Sequence, residues 1–152
     1  TRERFRPAPG RPAELVHAEI AVWSGDQVWR DEDGYLYFVA RQDEMIKSSG
    51  YRISPTEIEE VAYASGEVAQ AAALGLPHPV LGQAILLAVQ PRSPALTAET
   101  IRTVCQQQLP GFMVPQAIRI HDELPHNANG KIDRSRLRSV YAEVFAEEEG
   151  PP

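Results

Sequence analysis

Residues 84–90 read Ala84-Ile85-Leu86-Leu87-Ala88-Val89-Gln90. The run is apolar at successive positions, not at every second one. A strand with that pattern has no wet face, so it belongs at the centre of a sheet, buried on both sides. Such a sheet needs cover, and the flanking sequence supplies it. Upstream, Ser54 is expected as a helix N-cap, Pro55 as the first helical residue and Glu57 as the capping-box partner. Ile58, Val61 and Ala62 give that helix an apolar face, and Gly66 ends it. Downstream, Thr97 is expected to cap a second helix with Ile101, Val104, Cys105 and Leu109 on one face and Pro110 as its stop. Val68–Leu76 and Ala117–His121 read as further strands, with Pro77-His78-Pro79 as a loop. Asp133 is expected to cap a last helix, on which Leu137, Val140, Tyr141, Val144 and Phe145 recur at helical spacing. The order predicts an α+β fold: a small, about three-stranded sheet covered by helices.

Outside this block the pattern is looser. Residues 1–13 carry Pro7, Pro9, Pro12 and Gly10 and read as a linker. Val16, Ala18, Ile20 and Val22 alternate as in a half-buried strand. Ser24-Gly25-Asp26 breaks it. Gln27–Arg30 and Tyr35–Ala40 form a hairpin turning at Asp33-Gly34, with Trp23 and Trp29 packing in a sheet. Residues 44–53 read as a second short hairpin, turning near Ser49-Gly50. Asn129-Gly130 predicts a tight type I′ turn, because both residues tolerate positive φ. That turn would present Lys131 at the tip of a rigid element. Residues 146–152 read as an acidic, disordered tail.

The composition excludes several classes. The chain has 152 residues and a formal net charge of −6, which argues against a general nucleic-acid surface. No stretch reaches the roughly 18 to 20 apolar residues of a membrane span. Cys105 is the single cysteine and reads as a small core residue, which fits a reducing, cytoplasmic setting. Thr1-Arg2-Glu3-Arg4 is followed by no apolar run, so no signal peptide is read there. His17, His78, His121 and His126 lack metal-ligand spacing, so no metal site is expected.

Three segments, taken together, carry a resemblance. They are Ser24-Gly25-Asp26, the stretch from Arg41-Gln42-Asp43-Glu44 through Ser49-Gly50-Tyr51-Arg52-Ile53 to Glu57-Ile58-Glu59, and Asn129-Gly130-Lys131-Ile132-Asp133-Arg134. Leu109-Pro110, Met113-Val114-Pro115 and Glu123-Leu124-Pro125 fall between them. In order and rough spacing the chain resembles, over about residues 14–141, the C-terminal part of the adenylate-forming (AMP-binding) enzymes. Among these it is most similar to acyl-CoA synthetases. His126-Asn127 and Gly111-Phe112 depart from the family's usual residues.

The resemblance implies a division and a set of roles. Residues 1–42 would be the tail end of a large N-terminal domain that binds ATP and the acid. Residues 43–145 would be a mobile C-terminal lid, with Asp43 as hinge. Asp26 would accept hydrogen bonds from the ribose hydroxyls of ATP, since one carboxylate can take both. Arg41 would contact the ribose or phosphates. Lys131 would stabilise charge developing during adenylation. Gly50-Tyr51-Arg52 would form the thiol-transfer face, with Gly50 letting the backbone approach a pantetheine arm closely. Lys47 and Arg52 would be available to CoA phosphates. ATP/AMP, CoA and Mg²⁺ are the implied cofactors, the last bound mainly by the N-terminal domain. The expected partners are that domain, a carboxylic acid substrate and a thiol acceptor. The isolated chain is expected to be inactive. Two rivals stand beside this reading: loading of a carrier-protein phosphopantetheine in trans, and a non-catalytic binding module derived from the same domain.

Overall fold

The structure is a computed structural model that describes residues 5–7, 20–22, 26–41 and 44–146. The chain divides into two units, Thr1–Asp43 and Glu44–Pro152. Among its described residues the first holds two antiparallel ribbons. Strand β1 (Phe5–Pro7) pairs with β2 (Ile20–Val22), so residues expected to be linker form a strand. Strand β3 (Asp26–Arg30) pairs with β4 (Leu36–Arg41), the hairpin predicted around Asp33-Gly34. Trp29 stacks on its cross-strand partner Tyr37 with ring centroids 4.6 Å apart, yet it stays half exposed. Trp23 and Asp43 lie outside the described residues.

The second unit is the α+β layer anticipated from the sequence, with a larger sheet. Strands β5 (Ile46–Ser48) and β6 (Tyr51–Ile53) form a hairpin, and helix α1 (Pro55–Ala64) follows. Strands β7 (Val68–His78) and β8 (Gly82–Pro91) are antiparallel neighbours over almost their whole length. Helix α2 (Ala98–Gln108) and a short 3₁₀ turn (Gly111–Met113) lead to β9 (Ala117–Ile120), which runs parallel to β8. The hairpin joins β8 through the pair Ser48↔Gly82, so the sheet has five strands rather than about three. Helix α3 (Arg134–Val140) closes the unit.

Strand β8 explains the opening apolar run. Residues 84–89 are fully buried, and their side chains alternate between two cores. Ile85, Leu87 and Val89 pack with Ile58, Ala62, Ile101 and Cys105 from α1 and α2. Leu86 and Ala88 pack with Leu124, Leu137 and Phe145 on the other face. Each fully buried Leu or Ile contributes roughly 1.5–3 kcal/mol. Burial also pushes the Cys105 thiol up, as suits a core residue rather than a nucleophile.

Several local expectations change. Strand β7 continues through Pro77, where the sequence predicts a loop. Proline is tolerated there because the strand is hydrogen-bonded along one side only, to β8. Thr97 and Asp133 do cap their helices, accepting from Thr100 N–H and Arg136 N–H. Ser54 does not; its hydroxyl makes no cap bond and is buried without a partner, so the capping box with Glu57 is not formed. Helix α3 is regular only to Val140, whose side chain is exposed, while Tyr141, Val144 and Phe145 reach the core from the turns that follow. The type I′ signature also sits elsewhere. Ser49 and Gly50 both have positive φ (49° and 82°), whereas at the lysine loop Gly130 alone does (75°).

Candidate active site

Lys131 stands on a loop built almost entirely from its own backbone. Asn127 N–H donates to the Lys131 carbonyl at 2.7 Å, and Gly130 N–H donates to the Asn127 carbonyl at 3.0 Å. This is a three-residue hairpin loop ending in a left-handed glycine, with His126 and Ile132 bridged at its base. Lys131 follows that glycine directly. Asn127 adds what the backbone cannot. Its Oδ1 accepts from Asn129 N–H at 2.9 Å and from Lys131 N–H at 3.1 Å. The amide therefore fixes the backbone of the residue that carries the cation. In the sequence Asn127 stands out only as a departure from the family's usual residues; an asparagine two residues before Asn-Gly is the Asx-turn signal that points to this role.

The ammonium of Lys131 is exposed and makes no ion pair or hydrogen bond among the described residues. Behind it the chain is held firmly. Asp133 N–H donates to the Pro125 carbonyl at 2.7 Å. Ile132 is half-buried and packs against the second core, the one that holds buried Leu124 and Leu137. Arg134 reaches across the sheet edge, donating to the Ala73 carbonyl at 3.0 Å and pairing with Glu59 at 2.7 Å. Glu59 in turn accepts from Ala73 N–H at 2.8 Å. Burial pushes the Glu59 carboxyl above its ordinary value, against the opposing pull of Arg134 and the Ala73 N–H.

The β5–β6 hairpin holds the second cluster of expected residues. Its turn, Ser49-Gly50, is fastened by Ser49 N–H to the Leu81 carbonyl at 2.9 Å. Lys47 N–H donates to Gln83 Oε1 at 2.7 Å. That amide can lie there because Gly75 has no Cβ; one would meet Gln83 Oε1 at 2.8 Å and Ile46 Cγ2 at 2.9 Å. A Cβ at Gly50 would meet no atom within 4 Å, so the tip of the turn faces open space. Tyr51 is half exposed and stacks on Phe112, ring centroids 4.2 Å apart. Lys47 and Arg52 are register partners with exposed side chains and no anionic partner among the described residues. Like charges directly opposite one another destabilise a ribbon, so this pair is better accommodated beside an anion.

In the first unit, Asp26 and Arg41 are register partners at the open end of the β3–β4 ribbon, so the fold places those two positions together. Asp26 is exposed. No group of three or more His, Cys, Asp or Glu that could hold a metal ion exists among the described residues. His121 instead bonds the Tyr141 hydroxyl at 2.9 Å, and burial holds its ring below the ordinary pKa, against Asp122. None of the described helices is long and apolar enough to cross a membrane.

Comparison with known proteins adds to this geometry. The family described as AMP-binding enzyme C-terminal domain matches residues 57–131. The long-chain-fatty-acid–CoA ligase of Escherichia coli O157:H7 is 40% identical over 151 residues, covering 86% of this chain and 27% of the ligase. The oxalate–CoA ligase of Arabidopsis thaliana is 40% identical over 121 residues, covering 79% of this chain and 24% of that protein. Among solved structures, ATP-bound MatB from Rhodopseudomonas palustris shares the fold with a TM-score of 0.80 at 24% identity, covering 95% of this chain and 27% of that one. The chain therefore spans about a quarter of the length of the curated relatives it matches.

Proposed function

Residues 57–131 belong to the AMP-binding enzyme C-terminal domain family, and on that premise we propose that the chain is the C-terminal portion of an AMP-forming acyl-CoA synthetase. The reaction joins a carboxylate to ATP, giving acyl-adenylate and pyrophosphate, and then transfers the acyl group to CoA with release of AMP. The observation that carries the reading is Lys131: an unpaired cation on a loop whose backbone is fixed at both ends. Adenylation develops negative charge at the α-phosphate and on departing pyrophosphate. An ammonium already in place stabilises that charge without reorganisation, and it can orient the attacking carboxylate.

The other residues take roles consistent with their placement. Asp26 accepts from the ribose hydroxyls and Arg41 assists at the ribose or phosphates, from neighbouring register positions. Residues 1–42 then belong with the ATP- and acid-binding domain, and residues 43–145 form the lid, hinged at Asp43; the division of contacts between Asp43 and Glu44 supports this. In the thiol-transfer step, open space at Gly50 admits a pantetheine chain. Lys47 and Arg52 suit phosphates, because an anion between them relieves their mutual repulsion. Tyr51 flanks that passage. Mg²⁺ would accompany ATP outside this chain, whose described residues offer it no donor set. The relatives' names, long-chain fatty acid and oxalate, favour CoA as acceptor and span very different acids, so the acid is selected by residues outside this domain. Without the remaining three quarters of such an enzyme, the isolated chain is inactive.

Acid-dependent pyrophosphate release by the full-length protein tests the reading. Lys131→Ala should lower it by roughly two orders of magnitude or more. Retention of the wild-type rate would refute the role of Lys131.

A further inference from the structure

We infer that the Glu59–Arg134 pair is a positioning device for Lys131, clipping the lysine loop to helix α1 around the free edge of strand β7. The inference rests on the reading of Lys131 as the adenylating cation.

Strand β7 is paired on one side, to β8, which leaves its outer N–H and C=O groups open. Helix α1 closes part of that edge with two side chains four residues apart, on one helical face. Glu59 accepts from Ala73 N–H, and the Tyr63 hydroxyl accepts from Ala71 N–H at 2.9 Å. The Ala73 carbonyl is taken by Arg134, the first residue of α3, three positions after Lys131. Glu59, Ala73 and Arg134 thus close a ring that joins α1, the sheet edge and the lysine loop. Glu59 is 7% exposed, so this is not a solvated surface pair.

The loop has few other ways to hold its direction. Residues 126–131 are all exposed, and the hydrogen bonds at 127–131 stay within the loop. They fix its shape but not its angle to the sheet. That angle depends on the anchors at its base, and Arg134 is the charged one. A buried ion pair is poor as a pure stabiliser, since apolar residues of similar volume often serve as well. Its directional contacts are what apolar residues cannot replace. Helix α1 begins two residues after β6, so the clip also makes the Gly50 hairpin and the lysine loop one rigid body.

The test uses Glu59→Gln, which keeps an acceptor for Ala73 N–H, and Arg134→Lys, which keeps the charge. Both are made in the full-length protein beside Lys131→Ala. Each should lower kcat for adenylation by roughly tenfold to a hundredfold, with KM for ATP and thioester formation from supplied acyl-adenylate within about twofold of wild type. The double variant should be no slower than the slower single, because the two residues act through each other. Equal losses in both half-reactions, an unchanged adenylation rate, or a Glu59→Gln protein that does not fold would overturn the inference, since a positioning pair is separable from the fold. In each case Lys131→Ala reports independently: if it keeps full adenylation, the reading of Lys131 itself has failed.

Discussion

The loop Asp31–Tyr35 in the first unit and the loop Asn127–Lys131 in the second share three hydrogen bonds, to which the second adds Asn129 N–H to Asn127 Oδ1 at 2.9 Å. In the first, Asp31 N–H donates to the Tyr35 carbonyl and Gly34 N–H to the Asp31 carbonyl, both at 3.1 Å, while Tyr35 N–H donates to Asp31 Oδ1 at 2.9 Å. In the second the corresponding distances are 2.7, 3.0 and 3.1 Å. Gly34 and Gly130 occupy the same left-handed position, at φ 91° and 75°. The same turn geometry therefore serves two different settings. What differs is the leading side chain and the base. Asp31 is a carboxylate that also accepts from the Tyr37 hydroxyl, raising the pKa of that phenol. Asn127 is neutral, so it can hold the lysine backbone without offering the ammonium a counter-charge. The first loop joins strands that carry exposed Leu36 and Trp29; the second is rooted in buried Leu124, Leu137 and the Glu59–Arg134 pair.

The largest expected effects lie in that rooting. Leu124→Ala should destabilise the second unit by about 2–5 kcal/mol, as a cavity in a packed core does. Leu36→Ala, at a 66% exposed position, should stay within about 0.5 kcal/mol. Chemical denaturation of the full-length protein measures both, and equal effects would dissolve the distinction. Next comes the leading side chain. Asn127→Asp keeps every acceptor in the turn but places a carboxylate beside Lys131. Adenylation should fall by roughly tenfold at low salt, and the loss should shrink as salt screens the new pair. A loss indifferent to salt would point to a disturbed turn. The matched change in the twin loop, Asp31→Asn, should leave adenylation unaltered.

The smallest effect concerns His121, which braces the end of α3 through Tyr141. Its ring is held below the ordinary value of 6.5 by burial, so the folded protein favours the neutral form. Its contribution to stability is present above 6.5 and is lost as pH falls through that value toward the folded one. His121→Gln should therefore flatten the acid side of the stability profile, read as the urea midpoint between about pH 7 and 5. An unchanged slope would assign the acid sensitivity to other groups.

Much of the fold was legible because it is local. The apolar run at 84–90 identified the central strand, and Thr97 and Asp133 announced their helices by short side chains reaching the first turn. What escaped depends on distant partners. The parallel course of β9 and the joining of the β5–β6 hairpin to β8 are set by packing against α1 and α2, which no local pattern encodes. Pro77 argued for a loop because an edge strand cannot be told from a central one by sequence. The positive φ expected at Asn129 did not form because the loop is closed between residues 127 and 131, leaving a single left-handed position for Gly130. At the site, the lysine and the glycine turn were visible as motifs. Glu59 and Arg134 were visible only as helix residues, since nothing in their own segments says that they meet across a strand.

The most direct test of the central claim separates the two half-reactions of the full-length protein carrying Lys131→Ala. The account predicts that adenylate formation falls by roughly two orders of magnitude while thioester formation from supplied acyl-adenylate and CoA proceeds at close to the wild-type rate. Parallel loss of both half-reactions would contradict it, because Lys131 would then be supporting the fold rather than the charge that develops on phosphate.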